Sequence, residues 1–122
     1  MTKAIITHFD GDPFTLHYWL MLYRKYWRGE ADKIYLTICH DPQIATAEVE
    51  AYNKSLLAQF PEIIVEYLDH KITPEEGNKL SYQKTTEDLI GFVESDGLIF
   101  KKGLVDQMFR LLEFEKQDVV CP

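Results

Sequence analysis

The chain has 122 residues, 46% of them hydrophobic and 27% charged, which is the composition of one ordinary globular domain rather than a disordered segment. Thirteen basic residues against twenty acidic ones give a formal charge of -7, which argues against nucleic acid or an anionic membrane surface as the main partner. There is no apolar run near the roughly 18 residues of a membrane span and no signal-peptide pattern at the start. Cys39 and Cys121 each close an apolar run without metal-type spacing, so a reduced, cytoplasmic protein is expected.

In chain order, Ala4-Ile5-Ile6 reads as a first buried strand. Asp12-Pro13 then opens a helix expected to run to about Arg28. The aspartate accepts orphan N–H groups at the N-cap, and a proline at the first helical position gives up only a donor that would be unpaired anyway. Tyr18, Trp19, Tyr23, Tyr26 and Trp27 crowd this helix and wrap too far around it for one stripe. That excess predicts an apolar contact through helix 14–28 with a second copy or a second domain. A second strand over 34–39 is followed by Asp41-Pro42, the same opening device, and by Ala45, Val49, Tyr52, Leu56 and Phe60 as one apolar stripe. A third strand over 63–68 leads to Thr73-Pro74-Glu75-Glu76, a cap, a proline and a capping-box glutamate. Gly77 and Thr85-Thr86 lower the helix propensity that follows. A fourth strand covers 89–93, and a last helix near 104–114 shows Val105, Met108 and Leu112 on one face. A fifth strand is expected over 118–121.

Strands and helices alternate, and the strands are nearly all apolar. This pattern predicts a three-layer α/β/α domain with a mainly parallel sheet of about five strands and right-handed crossovers. In such sheets ligands lie at the carboxyl ends of the strands. There the chain places Thr7, His8, Phe9 and Asp10; His40 and Asp41; Asp69 and His70; and Glu94 and Asp96.

The segment Phe92-Val93-Glu94-Ser95-Asp96-Gly97 carries the most chemistry. Residues i and i+2 of an extended segment point the same way, so Glu94 and Asp96 aim at one ligand unless a turn after Ser95 redirects them. Two hard oxygen donors suit Mg²⁺ or Mn²⁺, particularly one carrying phosphates; the alternative is a polar strand end running into a turn. Asp41 either caps its helix alone or also contacts a ligand, and Asp69 is either a turn residue or a ligand contact. A metal site joining His8 to His70 is opposed by their spacing, about 10 Å if the second strand lies between them. No G-x-G-x-x-G, Walker-type or G-x-S-x-G pattern occurs, which disfavours dinucleotide, Walker-type and hydrolase-elbow chemistry.

Taken together, these segments resemble the nucleotide-sugar-binding half of a GT-A glycosyltransferase. Ala4-Ile5-Ile6-Thr7-His8-Phe9 is similar to the opening strand of that family, and Thr37-Ile38-Cys39-His40-Asp41 stands where its second strand often ends in paired aspartates. Gly77-Asn78-Lys79-Leu80-Ser81 resembles the segment before the metal-binding strand, and Glu94-Ser95-Asp96 resembles the D-x-D segment, with glutamate in place of the first aspartate. Leu98-Ile99-Phe100-Lys101-Lys102-Gly103 is similar to its continuation. The resemblance implies strand order 3-2-1-4 with the fifth strand at an edge. It also implies Mg²⁺ or Mn²⁺ held by Asp96 with help from Glu94. A UDP- or GDP-type sugar would be contacted by Thr7, Asp41 and Asp69, with Lys79 either reaching a phosphate or remaining a solvated lysine. Family members usually continue through an acceptor half, so the resemblance implies a fragment, a minimal relative or a domain repurposed for binding.

Two rivals keep the same alternation. A receiver-like signalling domain would use Asp10, Asp12, Asp69 and Ser95, but it wants a lysine where Cys121-Pro122 stands and would set strand three beside strand one. The other rival is a non-catalytic module that docks through its aromatic helix.

Overall fold

A computed structural model describes residues 1–40, 43 and 46–114 of the chain. Its elements are β1 (Lys3–Phe9), α1 (Pro13–Leu22), β2 (Lys33–Cys39), α2 (Ala47–Leu57), β3 (Ile63–Leu68), α3 (Pro74–Tyr82), β4 (Leu89–Phe92) and α4 (Leu104–Glu113). The four strands form one parallel sheet in the order β3-β2-β1-β4. This is the expected order, and with β2 between β1 and β3 the receiver-like arrangement is excluded. The sheet has four strands rather than five among the described residues; the segment expected to form the fifth, 118–121, lies outside them.

Right-handed crossovers dictate the layers. Connections from β1 to β2 and from β2 to β3 step in one direction, so α1 and α2 share a face. The connection from β3 to β4 steps back, so α3 covers the other. The first face holds the larger core, where Ile5, Phe9, Ile34, Leu36 and Ile38 meet Leu16, Trp19, Leu20, Leu57, Val105 and Phe109. The second is thinner, built from Ala4, Ile6 and Tyr35 beneath α3.

β1 runs three residues further than the apolar pattern of 4–6 indicated. Thr7 is fully buried and His8 nearly so, because pairing with β2 continues to Phe9↔Ile38. Parallel pairing on both sides satisfies the backbone, and His8 finds its own partner in Thr37. α2 also differs. Its N-cap is Thr46, whose Oγ1 accepts the Val49 N–H at 3.2 Å, so the helix starts later than Asp41-Pro42 suggested. Tyr52 is exposed, and the buried face consists of Asn53 and Leu57, with Phe60 just past the helix. In α4 the buried pair is Val105 and Phe109, one helical turn apart, while Met108 and Leu112 are only half-buried. Two caps stand as expected: Asp12 accepts the Phe14 N–H at 3.0 Å, and Thr73 accepts the Glu76 N–H at 3.2 Å.

The aromatic helix resolves its crowding through a change of pitch. α1 passes directly into a π-helical turn, Tyr23–Trp27. In an α-helix each four-residue step drifts by about 40°, which would swing Trp27 away from Trp19. The wider turn reverses that drift. Trp19, Tyr23 and Trp27 therefore share one buried face, with the two tryptophan rings 5.2 Å apart. Phe14, Tyr18 and Met21 remain exposed. No helix among the described residues is long and apolar enough to cross a membrane.

α4 begins at Gly103, which has no side chain to cap with. Glu30, from the α1–β2 loop, supplies the carboxylate instead, accepting the Gly103 N–H at 3.0 Å and the Asp106 N–H at 2.9 Å. A negative charge at a helix N-terminus is favourable for the exposed N–H groups and the dipole alike.

α3 lies on the sheet through Gly77 and Ser81, its two buried residues. A methyl group at Gly77 would collide with the His8 ring and would sit 2.7 Å from Thr37 Oγ1. Gly77→Ala improves intrinsic helix propensity by about 1 kcal/mol, yet the overlap is expected to prevail, with a net loss of about 2 kcal/mol in urea unfolding. A variant more stable than the parent would show that α3 does not press on the sheet in this way.

Candidate functional site

Strand order reverses between β1 and β4, so the cleft-forming edge is where these two strands end. β4 is followed by Val93, whose N–H still bonds to the Ile6 carbonyl at 3.0 Å, and then by a turn closed by Gly97 N–H to the Glu94 carbonyl at 2.9 Å. Glu94 and Asp96 are thus the first and third residues of a turn rather than successive same-face residues of a strand. Both are exposed, and neither forms an ion pair among the described residues.

The other expected site residues are dispersed. Asp69 follows β3 and accepts a 2.8 Å hydrogen bond from His70 Nδ1, which holds its carboxyl below the usual range. β3 and β4 are the two outer strands, so three interstrand spacings, about 14 Å, separate their ends. Asp69 and Asp96 do not share one ion. Lys79 is exposed on α3. Thr7 points into the larger core with its hydroxyl buried and without a hydrogen-bond partner among the described residues, and it does not reach the edge. Asp41 lies outside the described residues.

What the edge does assemble, and the sequence did not announce, is a set of close contacts between the ends of β1 and β2. Gly11 has φ +96°, and a Cβ there would sit 2.7 Å from the Cys39 carbonyl oxygen. Only glycine lets the two chains approach so closely in that conformation. Asn53 reaches from α2 to donate to the Gly11 carbonyl at 3.0 Å and is itself fully buried. His40 Nδ1 is 3.8 Å from Glu50, and its Nε2 is buried without a partner among the described residues.

On the α3 face of the same edge, His8, Asp10 and Cys39 converge. His8 Nδ1 meets Thr37 Oγ1 at 2.7 Å, while Nε2 lies 3.4 Å from Asp10 Oδ1 and 3.7 Å from Cys39 Sγ. Cys39 Sγ is 3.8 Å from Asp10 Oδ1 and 4.0 Å from the Ile72 carbonyl. Burial pushes the His8 imidazole below its usual value, against the opposing pull of Asp10. It likewise pushes the Cys39 thiol up. Interstrand register brings the three residues together. Phe9 pairs with Ile38, so polar residues flanking that pair on adjacent strands had to become neighbours.

No protein-family model matches the chain, nor does any curated protein. Solved structures do. S. aureus TarS 1-349 is similar over 94% of this chain with 15% identity and a TM-score of 0.66. The same TarS region in complex with UDP is similar over 94% with 14% identity and a TM-score of 0.62. The chain spans about a third of each of those chains, 33%. The likeness shows that this chain shares its fold, a parallel sheet in the order β3-β2-β1-β4 with flanking helices, with that region of TarS.

Asn53 tests how the edge is held. Asn53→Ala orphans the Gly11 carbonyl and is expected to destabilise by about 2 kcal/mol. Asn53→Asp keeps the volume but sets a carboxylate against that carbonyl, so at pH 7 it should be the worse of the two despite being nearly isosteric. Below pH 5 a protonated acid can donate again, and urea midpoints should show Asn53→Asp recovering relative to Asn53→Ala.

Proposed function

We propose that residues 1–122 form a nucleotide-sugar-binding domain, which takes a UDP- or GDP-type sugar at the carboxyl edge of its sheet together with Mg²⁺ or Mn²⁺. The observation that carries this reading is the location of Glu94-Ser95-Asp96, in the turn after β4 and beside β1, where the strand order reverses. The likeness to TarS, solved in complex with UDP, supports the ligand class.

The donor chemistry fits a hard cation. Two exposed carboxylates, without competing lysine or arginine partners among the described residues, match an ion that keeps several waters and binds through one or two carboxylates plus substrate phosphates. Asp96 is assigned as the direct ligand and Glu94 as a second ligand, direct or through water. When bound, the ion neutralises charge on the leaving diphosphate. Asp69, about 14 Å across the sheet from the β4 turn, is far enough away to meet the opposite end of an extended nucleotide rather than its phosphates. Asp41 is assigned to the nucleoside with it, and Lys79 to a phosphate. Thr7, sealed in the core, drops out of the set.

A second reading, a docking module, draws on the exposure of Phe14, Tyr18 and Met21 at 75%, 55% and 46%. Association that persists in chelator without nucleotide would favour it.

Calorimetry with UDP and GDP, each with and without Mn²⁺, separates the two. Metal-dependent binding is expected in the range of tens of micromolar, about 6 kcal/mol. Asp96→Ala should abolish it while leaving the metal-free thermal transition nearly unchanged. Glu94→Gln should weaken it less, because a neutral oxygen still accepts a hydrogen bond from metal-bound water. Unaltered nucleotide affinity in the Asp96 variant would remove the metal assignment.

A further inference from the structure

We infer that His8, Asp10 and Cys39 form a second, chemically distinct cation site, selective for a borderline metal of the zinc class. It stands on the ends of β1 and β2 and is independent of the nucleotide reading.

The geometry is quantitative. Zinc bonds are about 2.0 Å to oxygen, 2.05 Å to imidazole nitrogen and 2.3 Å to sulfur, so tetrahedral corners lie about 3.3 Å apart for N–O and about 3.5 Å apart for N–S and O–S. The corresponding separations here are 3.4 Å between His8 Nε2 and Asp10 Oδ1, 3.7 Å between Nε2 and Cys39 Sγ, and 3.8 Å between Sγ and Oδ1. Each is within about 0.3 Å of the corner spacing. One ion at the centre of that triangle's tetrahedron reaches all three donors with almost no side-chain movement.

The surroundings suit a metal ligand. Thr37 Oγ1, 2.7 Å from His8 Nδ1, can accept the Nδ1 proton and so leave the Nε2 lone pair facing Asp10 and Cys39. Gly77 closes over the ring and fixes its plane. His8 and Cys39 are buried, whereas the Asp10 side chain is 50% exposed, which gives an ion a way in. The alternative use of these groups, a thiol nucleophile activated by a histidine that an acid orients, does not fit. There the acid and the thiol meet opposite ring nitrogens, but here both face Nε2. Three side-chain donors is the ligand count of a catalytic zinc site, and the Ile72 carbonyl, 4.0 Å from Cys39 Sγ, stands beside them. The mixed nitrogen, sulfur and oxygen set discriminates against Mg²⁺, the class assigned to Glu94 and Asp96.

Cobalt is the probe, since its visible bands report tetrahedral geometry and its near-ultraviolet thiolate charge-transfer band reports sulfur ligation. Titrating the full chain, after removal of adventitious metal, should give both bands at one equivalent. Zinc should bleach them, and a hundredfold excess of Mg²⁺ should not. Cys39→Ser should lose the charge-transfer band, with circular dichroism confirming the fold, while Cys121→Ser keeps it. Asp10→Asn changes only a half-exposed side chain and should weaken cobalt affinity at least about tenfold. No charge-transfer band in the parent chain, its survival in Cys39→Ser, or an affinity unchanged by Asp10→Asn would overturn the site.

Discussion

β1 is hydrogen-bonded on both sides, to β2 over six residue pairs and to β4 over four, and it is covered on both faces. That double enclosure is the constraint from which the rest follows. Its odd-numbered residues Ile5 and Phe9 anchor the large core, while Ala4 and Ile6 anchor the small one. His8 then becomes the floor on which α3 rests. Because β1 has no free edge, anything polar on it must find its partner locally or remain unsatisfied. His8 does the former and Thr7, among the described residues, the latter.

The same enclosure explains what the sequence could and could not reveal. Apolar runs bounded by capped helix starts are local signals, and they located β3 and the start of α3 to the residue. Alternation implied parallel layers, and resemblance supplied the order of strands. Thr7 and His8 misled because polarity was taken as the end of a strand, whereas in a doubly paired strand the backbone continues as long as its neighbours do. Asp41-Pro42 misled for the opposite reason. It is a sound start signal, but Thr46 is an equally good cap four residues on, and the helix begins there. The convergence of His8, Asp10 and Cys39 depends on interstrand register, which no window along a single segment can contain.

Electrostatics divide the two ends of the sheet. At the carboxyl edge, Glu94 and Asp96 stand without cationic partners among the described residues. At the amino edge, carboxylates are consumed by backbone donors. Asp32 accepts the Lys3 N–H at 2.7 Å and Asp88 the Thr2 N–H at 2.9 Å. One excess of acidic residues thus serves two ends differently, bracing the chain at one and leaving negative charge available at the other.

The Glu30 cap on α4 carries a consequence for how that helix is sustained. A ten-residue helix is too short to persist alone in water, and the carboxylate that caps it belongs to Glu30, 73 residues before Gly103 and 76 before Asp106. Its apolar side, Val105 and Phe109, has nothing to bury against until the sheet exists. α4 therefore draws both its cap and its buried face from a scaffold built elsewhere in the chain, so its helix depends on that scaffold rather than on its own sequence.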